Sequence, residues 1–409
     1  MPSDLAAAPP TTRYREKRQR VLEAATEIIN ERGVKGMTLN DVAKAIDLNT
    51  TSVTYYYRRK DMLAAAVFED ALERFDAMAR LAARETAPVE RLRVLIRAVM
   101  ETYGGVRTGL NAPIANLGEV RTLGDEHRRP LNAHYVALFR RVRNLLTTDD
   151  DPDERPIMTA RTHVLLENLF WMRTWLDRYS IGDFERLGPH FHRALAHGIA
   201  PDGAAWTPRP LAIDESRLRS GDDPMPDAFL RTATVLMNER GYLGASVDRI
   251  AADLGVTKGS FYHHLSSKED LVLQCFERSY GRVSMIQRAA LGTEGDRLAQ
   301  LASAIDALLR VQLFGEAPLL RTTARTVLPP ALRDRVISRS NRMARRFAGM
   351  VTDGMIEGSC RLVDPLVTAQ IIMGSLNGAY EMRRWAAALG EARAVRIYGS
   401  VLSDGVLGR

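Results

Sequence analysis

The sequence is poor in cysteine and has no long apolar run. Only two cysteines, Cys275 and Cys360, occur among 409 residues, which is too few for a disulfide framework or a cysteine-based zinc site. No uninterrupted apolar stretch reaches the roughly 18 residues that a membrane-spanning helix needs, and the N-terminal segment lacks the apolar core of a signal peptide. These absences predict a cytoplasmic protein with no membrane partner and no metal.

Motifs for catalysis and for nucleotide binding are also missing. His190, His192 and His197 have no accompanying carboxylate at metal-ligand spacing, and no HExxH motif occurs. The stretches "YGGVRTG" and "GVTKGS" contain glycines, but they match neither the P-loop nor the dinucleotide-binding fingerprint. The sequence therefore predicts a protein that is not an enzyme and uses no cofactor.

What the chain does have is an ordinary globular composition with an excess of positive charge. Hydrophobic residues make up 45% and charged residues 26%, as in soluble folded proteins. Lys and Arg outnumber Asp and Glu by 57 to 50, for a formal net charge of +7, which favours a polyanionic partner. The length exceeds the usual limit of a single hydrophobic core, so at least two domains are expected.

The sequence repeats itself with a shift of about 208 residues. The stretch "NERG" begins at Asn30 and again at Asn238, and the pairing continues without gaps through the next 40 residues or so. A second match joins Met172-Arg173 to Met382-Arg383. Each half is therefore predicted to be a complete unit of mostly helical periodicity. A linker at 200–225, rich in Pro, Gly and Asp, separates the two units.

The start of each half predicts a first helix followed by a short second helix. Apolar residues at helical spacing form the first helix, which Gly33 or Gly241 ends. Thr38 and Ser246 are suitable N-caps for the second helix, because a hydroxyl can accept a hydrogen bond from a free backbone amide there. The second helix of each half is short and apolar on one side, as expected for a helix that packs against helix one.

A turn and a third helix complete this unit. Asp47 and Gly255 stand where a positive φ is expected, since Gly and Asp tolerate that conformation. The third helix, "TTSVTYY" in one half and "TKGSFYH" in the other, has a polar face, with Val53 or Phe261 directed inward. This arrangement is typical of a helix-turn-helix whose last helix enters the major groove of DNA.

These residues, above all "VTKGSFYHHLSSKEDL" after "SVDRIAADLG", closely resemble the TetR family of transcriptional regulators. The resemblance covers about 50 residues in each half. It implies that a variable helical domain follows each head, binds a small effector and dimerises through its last two helices. The first half departs from the commoner sequence pattern of the family at Asp47 and Thr54, where the second half has Gly255 and Tyr262.

The sequence and the resemblance together predict the DNA-contacting residues. Thr, Ser, Tyr, His and Lys side chains can bond base edges or phosphates. A basic run at the start of the first head can act as an arm that tracks phosphates or the minor groove. In the first half these residues are Arg13, Arg15, Lys17, Arg18, Thr38, Thr50, Thr51, Ser52, Thr54, Tyr55, Tyr56 and Lys60. In the second half they are Ser246, Thr257, Lys258, Gly259, Ser260, Tyr262, His263 and Lys268.

One aromatic stripe in the first half is a candidate effector pocket. The polar and aromatic residues along it, with a tyrosine from an earlier helix, are Tyr103, His163, Glu167, Phe170, Trp171 and Trp175. A stripe of this kind is more often part of a core or a dimer interface. The counterpart in the second half has small residues, Gly374, Ser375, Gly378 and Ala379, so large side chains of one half are expected to pack against small ones of the other.

The predicted fold is all-α, with two TetR-like units arranged as an intrachain pseudo-dimer. The predicted segments are a disordered leader (1–13), a DNA-binding head (14–66), a helical effector and dimerisation body (67–199), the linker (200–225), a second head (226–274) and a second body (275–409).

The predicted function is a sequence-specific regulator, a repressor released by an unknown small effector, that binds double-stranded operator DNA with two unlike heads. A non-specific architectural DNA binder, and a helical ligand-binding protein with one degenerate head, are the alternatives. The sequence leaves open whether whole chains also form homodimers, and whether the protein represses or activates.

Overall fold

The computed structural model describes residues 11–147, 151–214, 225–322, 328 and 330–408. These residues form α-helices joined by turns and short 3-10 helices, and no β-strand occurs among them, which confirms the all-α prediction. The first half contains α1 (Thr12–Gly36), α2 (Leu39–Ala45), α3 (Thr50–Tyr56), α4 (Lys60–Ala82), α5 (Pro88–Arg107), α6 (Asp125–Leu146), α7 (Arg155–Trp175) and α8 (Phe184–His197).

The second half repeats this order. It contains α9 (Met225–Gly244), α10 (Val247–Asp253), α11 (Lys258–His264), α12 (Lys268–Leu291), α13 (Arg297–Leu313), α14 (Pro330–Glu357), α15 (Pro365–Ala379), α16 (Arg383–Leu389) and α17 (Glu391–Asp404). None of the described helices is both long enough and apolar enough to cross a membrane.

Each half begins with the predicted three-helix head. Thr38 caps α2 by accepting a hydrogen bond from the Asp41 amide at 3.1 Å, and Ser246 caps α10 by accepting one from the Arg249 amide at 3.2 Å. Both predicted caps are therefore confirmed. Each satisfies a backbone amide that has no partner within its own helix.

The turn chemistry is confirmed as well. Asp47 has a φ of 55° and Gly255 a φ of 67°, and Asp47 is the only non-glycine residue with positive φ in the described part of the chain. Gly33 and Gly241, with φ of 71° and 70°, interrupt α1 and α9 where the sequence predicts the end of the first helix. A side chain larger than glycine is strained in this conformation, whereas Asp tolerates it better than most.

The repeated asparagines join each head to its own body in the same way. Asn30 donates to the carbonyl of residue 114 at 2.9 Å and accepts from the amide of residue 116 at 3.0 Å. Asn238 donates to the carbonyl of residue 319 at 2.9 Å and accepts from the amide of residue 321 at 3.0 Å. Each amide side chain thus pins the loop after the second body helix to the end of helix one, and this explains why both halves have Asn there.

The two bodies meet through α7 and α8 of the first half and α15 and α17 of the second. A Cβ atom on Gly374 would lie 2.9 Å from the indole of Trp171, and one on Gly378 would lie 2.5 Å from Cγ of Glu167. These glycines let α15 approach α7 closely, because they leave room for large side chains. The predicted packing of large residues against small ones is confirmed.

The ends of α8 and α17 are joined by backbone hydrogen bonds that form a reciprocal pattern. Four bonds join these two ends, and exchanging each residue for its repeat equivalent, about 207 positions away, reproduces the set. They are Ile199 N to Leu402 O (3.1 Å), Ala200 N to Ser403 O (3.0 Å), Val406 N to Leu195 O (2.8 Å) and Leu407 N to Ala196 O (3.3 Å). Reciprocal contacts of this kind characterise an interface with two-fold symmetry.

Two predicted irregular segments differ from expectation. Helix α1 already begins at Thr12, capped by Thr11, so the predicted leader is shorter than 1–13, and residues 1–10 lie outside the described residues. The first part of the predicted linker is ordered and packs on the second body. There the Arg209 amide donates to Ser303 Oγ at 2.8 Å, and Trp206 lies against Gly399. Residues 215–224 lie outside the described residues.

Candidate nucleic-acid interface and central cavity

Helix α3 presents a polar, aromatic face on the first head. Val53 is fully buried and anchors the helix, whereas Thr51 is exposed and Tyr55 is 73% exposed. The other predicted contact residues on this helix, Thr50, Ser52, Thr54 and Tyr56, are half-buried. The exposed face therefore offers a hydroxyl and a phenol ring that can reach base edges or phosphates.

Helix α11 presents a different face on the second head. Phe261 is fully buried and packs edge-on against Phe229, with 5.5 Å between ring centroids. The exposed residues are Thr257, Lys258, Gly259, Tyr262 and His263, and Ser260 is half-buried. This face carries a cation and an imidazole where α3 has only hydroxyls and phenols, so the two heads present unlike chemistry to DNA.

The aromatic surface of the first head includes a residue that the sequence reasoning missed. Tyr14 on α1 lies with its ring centroid 4.9 Å from that of Tyr56 and 6.0 Å from that of Tyr55. It follows directly on Arg13 in the basic run, so its position in that run was the available signal. The ring holds the N-terminal turn of α1 beside the exposed face of α3.

The basic residues at the start of the first head lie in α1 and not in a separate arm, contrary to the sequence prediction. Arg13, Arg15 and Arg18 are exposed and Lys17 is half-buried on the first two turns of this helix. The Arg18 guanidinium also lies over the Tyr57 ring at 5.4 Å. A helix carries these charges at fixed positions, so they favour phosphate contacts beside α3 over entry into a minor groove.

Lys60 and Lys268 are directed into their own heads. The Lys60 ammonium donates to the Lys35 carbonyl at 2.8 Å, and the Lys268 ammonium donates to the Tyr242 carbonyl at 2.6 Å. Burial, aided by the charge of Lys35, lowers the pKa of Lys268 to about 8. Both lysines thus tie α4 or α12 to the end of helix one, and this bond uses one of the three donors of each ammonium.

Lys258 on the exposed face of α11 is paired in the free protein. Its ammonium lies 3.0 Å from a carboxylate oxygen of Asp248 on α10, and both side chains are exposed. The hydrogen bond that Lys258 donates to this carboxylate raises the pKa of the lysine. Because Asp248 also places a negative charge beside the predicted DNA-contact surface of α11, it would oppose the approach of phosphates.

Asp248→Asn is therefore expected to strengthen DNA binding about three- to tenfold, since one repulsive charge is lost and Lys258 is released. Filter binding or fluorescence anisotropy on a duplex at fixed salt measures the change. Asp253→Asn, on the exposed end of the same helix, is the matched control for net charge. An equal gain in the control assigns the effect to net charge and not to Lys258.

A cavity of about 1170 Å³ lies behind the heads, between the two halves. Five of the six predicted pocket residues line it, namely Tyr103, His163, Glu167, Phe170 and Trp171. Trp175 does not, contrary to the sequence prediction. Its ring is fully buried and stacks on Phe191 with 6.0 Å between ring centroids, so it belongs to the core.

The second half supplies cavity residues that the sequence reasoning missed. They include Arg321, Asn377, Tyr380, Glu381 and Arg383. The buried Arg321 guanidinium donates to Glu381, and it lies 4.0 Å from the carboxylate of Glu167. Burial raises the pKa of Glu167, an effect that the charge of Arg321 partly offsets. Burial also disfavours the charged form of Arg321 and lowers its pKa to about 10.

His163 is a neutral hydrogen-bonding group at the wall of the cavity. The Tyr398 hydroxyl donates to the Ser375 carbonyl at 3.0 Å, so its oxygen accepts from Nδ1 of His163 at 3.1 Å. Nε2 is then an acceptor, and it is buried without a hydrogen-bond partner. Burial, with the charge of Arg321, lowers the pKa of His163 to about 3, so the ring stays neutral at physiological pH.

This pKa predicts a pH dependence of stability. The unfolded chain protonates His163 below its ordinary pKa of about 6.5, whereas the folded protein does not, so the stabilisation is complete above that pH and is lost below it. Between about pH 6.5 and 5, the free energy of unfolding should fall with a slope approaching about 1.4 kcal/mol per pH unit from this group. Urea titrations of the unaltered protein and of His163→Asn give the difference in slope.

The control for this experiment is His197→Asn, which removes an exposed imidazole and should leave the slope unchanged. The same acid sensitivity in His163→Asn as in the unaltered protein would show that His163 is not the responsible group.

One group of side chains has the composition of a metal site. Asp61, Glu126 and His127 bring their ligand atoms within 4.8 Å of one another. Arg59, however, donates to Asp61 at 2.5 Å and to Glu126 at 2.6 Å. A guanidinium that neutralises both carboxylates favours an ion-pair cluster over a cation site, and this cluster fastens the start of α4 to α6.

The sequence matches two known domain families. The family described as "Bacterial regulatory proteins, tetR family" matches at 21–67 and again at 229–275. These ranges contain α2, α3, α10 and α11 together with most of helix one of each head. The family described as "Tetracyclin repressor-like, C-terminal domain" matches at 294–396, within the second body.

Individual relatives match over parts of the chain. The transposon Tn10 TetC protein of Escherichia coli is 37% identical over 51 residues, which is 12% of this chain and 26% of that protein. The HTH-type transcriptional activator FasR of Mycolicibacterium smegmatis is 32% identical over 99 residues, which is 24% of this chain and 45% of that protein. The chain thus spans between a quarter and a half of the length of these relatives.

Among solved structures, the TetR family transcriptional regulator PfmR from Thermus thermophilus aligns with 43% of this chain and 97% of its own, at 25% identity and a TM-score of 0.36. The family matches fall where the two heads lie, on caps, turns and buried anchors that both heads share. The chain contains two copies of the DNA-binding domain of the TetR family and one domain that matches the tetracyclin repressor-like C-terminal domain.

Proposed function

We propose that this protein is a sequence-specific transcriptional regulator that binds two unlike half-sites of one operator with the two heads of a single chain. The observation that carries the proposal is the pair of recognition helices. Both α3 and α11 are anchored by a fully buried residue and expose a polar face, and the two faces differ in charge and side-chain type. Unlike faces favour unlike half-sites.

The two halves act, in this proposal, as an intrachain pseudo-dimer. The reciprocal backbone bonds between the ends of α8 and α17, and the close approach of α7 to α15, support it. A symmetric dimer of the family would place two identical heads on a palindrome, whereas a duplicated chain places two different ones. The proposed heads comprise 14–66 and 226–274, followed by bodies at 67–199 and 275–409.

The central cavity is the proposed effector site. It is large enough for a drug-sized molecule, it combines aromatic walls with buried polar groups, and residues at the ends of α1 and α9 line it. A ligand there contacts both heads at once through Asn30 and Asn238. We infer that the protein is a repressor whose effector favours a head spacing that no longer fits successive major grooves.

The test is footprinting of the purified full-length chain on DNA from the region upstream of its own gene, or on sites selected from random duplexes, with the stoichiometry measured on the protected fragment. One chain protecting two unequal half-sites is the expected result. Two chains saturating a symmetric site would refute the pseudo-dimer and favour a homodimer with four heads. Affinity for the site should exceed non-specific affinity by about a thousandfold or more at fixed salt, and a ratio near one would favour an architectural DNA binder.

A further inference from the structure

The central cavity is lined by repeat-equivalent residues from both halves. Repeat alignment pairs Asn30 with Asn238, and the shared bonds of these two asparagines pair the loop at 114–116 with that at 319–321. The repeated Met-Arg pairs align α7 with the segment that ends α15 and begins α16. Five such pairs line the cavity: Asn30 and Asn238, Asn116 and Arg321, Glu167 and Asn377, Phe170 and Tyr380, and Arg173 and Arg383. A site formed in this way occurs once per chain, not once per half.

The cavity extends further into one half than into the other. Side chains of α4, α5 and α6 contribute apolar and aromatic walls in the first body, among them Leu72, Phe75, Tyr103 and Phe139. No described residue of α12 or α13, the counterparts of α4 and α5, lines it. The apolar arm of the cavity therefore enters only the first body, and it suits the hydrophobic part of a single ligand.

The charge of the lining is unbalanced. Eight arginines but only four acidic residues line the cavity in the described part of the chain. Arg321 is paired with Glu381, whereas Arg173 and Arg383 donate to neutral oxygens. Arg173 bonds Asn30 Oδ1 at 2.9 Å, and Arg383 bonds the carbonyls of residues 312 and 315 at 3.1 and 3.0 Å. Hydrogen bonds to neutral oxygens orient these guanidinium groups without cancelling their charge.

We propose that the cavity binds one amphipathic anion per chain, with its apolar or aromatic part in the first body and its negative charge held by arginines of both halves, including Arg173 and Arg383. This inference deepens the proposed effector site and rests on it. A carboxylate, sulfonate or phosphate meets the surplus positive charge, and the aromatic walls bury the remainder of the molecule. Because its binding site includes residues from both halves, such a ligand is held in place only when the halves are together.

The test uses two fluorescent probes of nearly the same shape. Anilinonaphthalene sulfonate carries a sulfonate that N-phenylnaphthylamine lacks, so the difference between their affinities reports the contribution of the anion. The full-length protein should bind the sulfonate at one site per chain, measured by fluorescence titration and calorimetry. Arg383→Gln should weaken the sulfonate about tenfold or more and change the uncharged probe less than twofold.

Three further variants test whether a loss of sulfonate affinity comes from the missing charge in the cavity, from misfolding or from the change in net charge. Arg383→Lys keeps the charge and should retain most of the sulfonate affinity. Arg396→Gln removes an exposed arginine of α17 and should change neither probe. Arg173→Gln, in the other half, should reproduce the loss seen with Arg383→Gln, which is the result that requires a shared site.

Two outcomes overturn the inference. In the first, the protein binds the sulfonate at several equivalent sites that Arg173→Gln and Arg383→Gln do not affect. In the second, the two probes bind with equal affinity. Operator binding is measured on the same preparations. If specific DNA binding persists while the probe results fail, the effector inference is wrong and the regulator proposal stands. If DNA binding is absent while the probe pattern holds, the regulator proposal fails by itself.

Discussion

The double substitution Lys258→Ala with Tyr262→Ala is expected to lower affinity for one operator half-site by roughly a hundredfold or more, because each lost base contact costs about 1–3 kcal/mol. Lys258 is exposed and Tyr262 is 53% exposed on the face of α11, while Phe261 between them stays in the core. Truncating these two side chains therefore removes the proposed DNA contacts without opening a cavity in the head. Footprinting of each half-site, with affinities from titration at fixed salt, measures the effect.

The matched experiment alters the other head. Thr51→Ala with Tyr55→Ala removes the two exposed side chains of α3, and it should weaken the opposite half-site. Helical content should be unchanged in both double variants. If either variant weakens both half-sites equally, the heads do not have separate half-sites, and the asymmetric model of recognition is wrong.

Gly198→Ala is expected to lower the free energy of unfolding by about 3 kcal/mol or more, because it combines strain at positive φ with a steric clash. Gly198 ends α8 with a φ of 68°, and a Cβ atom there would overlap the backbone carbonyl of Ser403. Gly405, its repeat equivalent, would overlap the Ala196 carbonyl in the same way. These are backbone atoms of the reciprocal hydrogen-bonded junction, so relief requires the two halves to move apart. Urea or thermal unfolding measures the change.

Gly203→Ala is the control, because Gly203 also has a positive φ, 80°, but a Cβ atom there would meet nothing within 4 Å. It should cost only the backbone strain, about 1 kcal/mol. Gly198→Ala should also weaken binding to the complete operator more than Gly203→Ala does, since the halves no longer hold the heads at one spacing. Equal costs for the two variants would contradict the importance of this junction.

Local sequence chemistry was sufficient to predict the heads. The caps at Thr38 and Ser246, the turns at Asp47 and Gly255 and the inward anchors depend on residues only a few positions apart. Interactions at such short range depend little on the rest of the molecule, so the residue types alone indicate them. The repeat of these signals in both halves made the prediction of two DNA-binding domains secure.

Side-chain direction was predicted less well. Lys60 and Lys268 were expected to contact phosphates, and the structure adds a bond that was not expected, from each ammonium to a carbonyl at the end of helix one, about 25 residues earlier in the chain. Trp175 was expected at the pocket, but it stacks on Phe191 of α8. In each case, the deciding partner lies on another helix, and helical spacing shows which residues share a face but not what that face meets.

The sequence by itself determined that the chain is helical, that it is duplicated and that each half begins with a helix-turn-helix, because these properties follow from periodicity, capping and turn residues within short windows. The small residues of α15 also predicted that it packs against α7, but only the tertiary structure decided what the two halves enclose. Arg173 and Arg383 lie 210 positions apart in the chain but line one cavity. Contacts at that separation depend on the packing of α7 and α8 against α15 and α17, whose geometry comes from many weak contacts acting together and not from any local pattern.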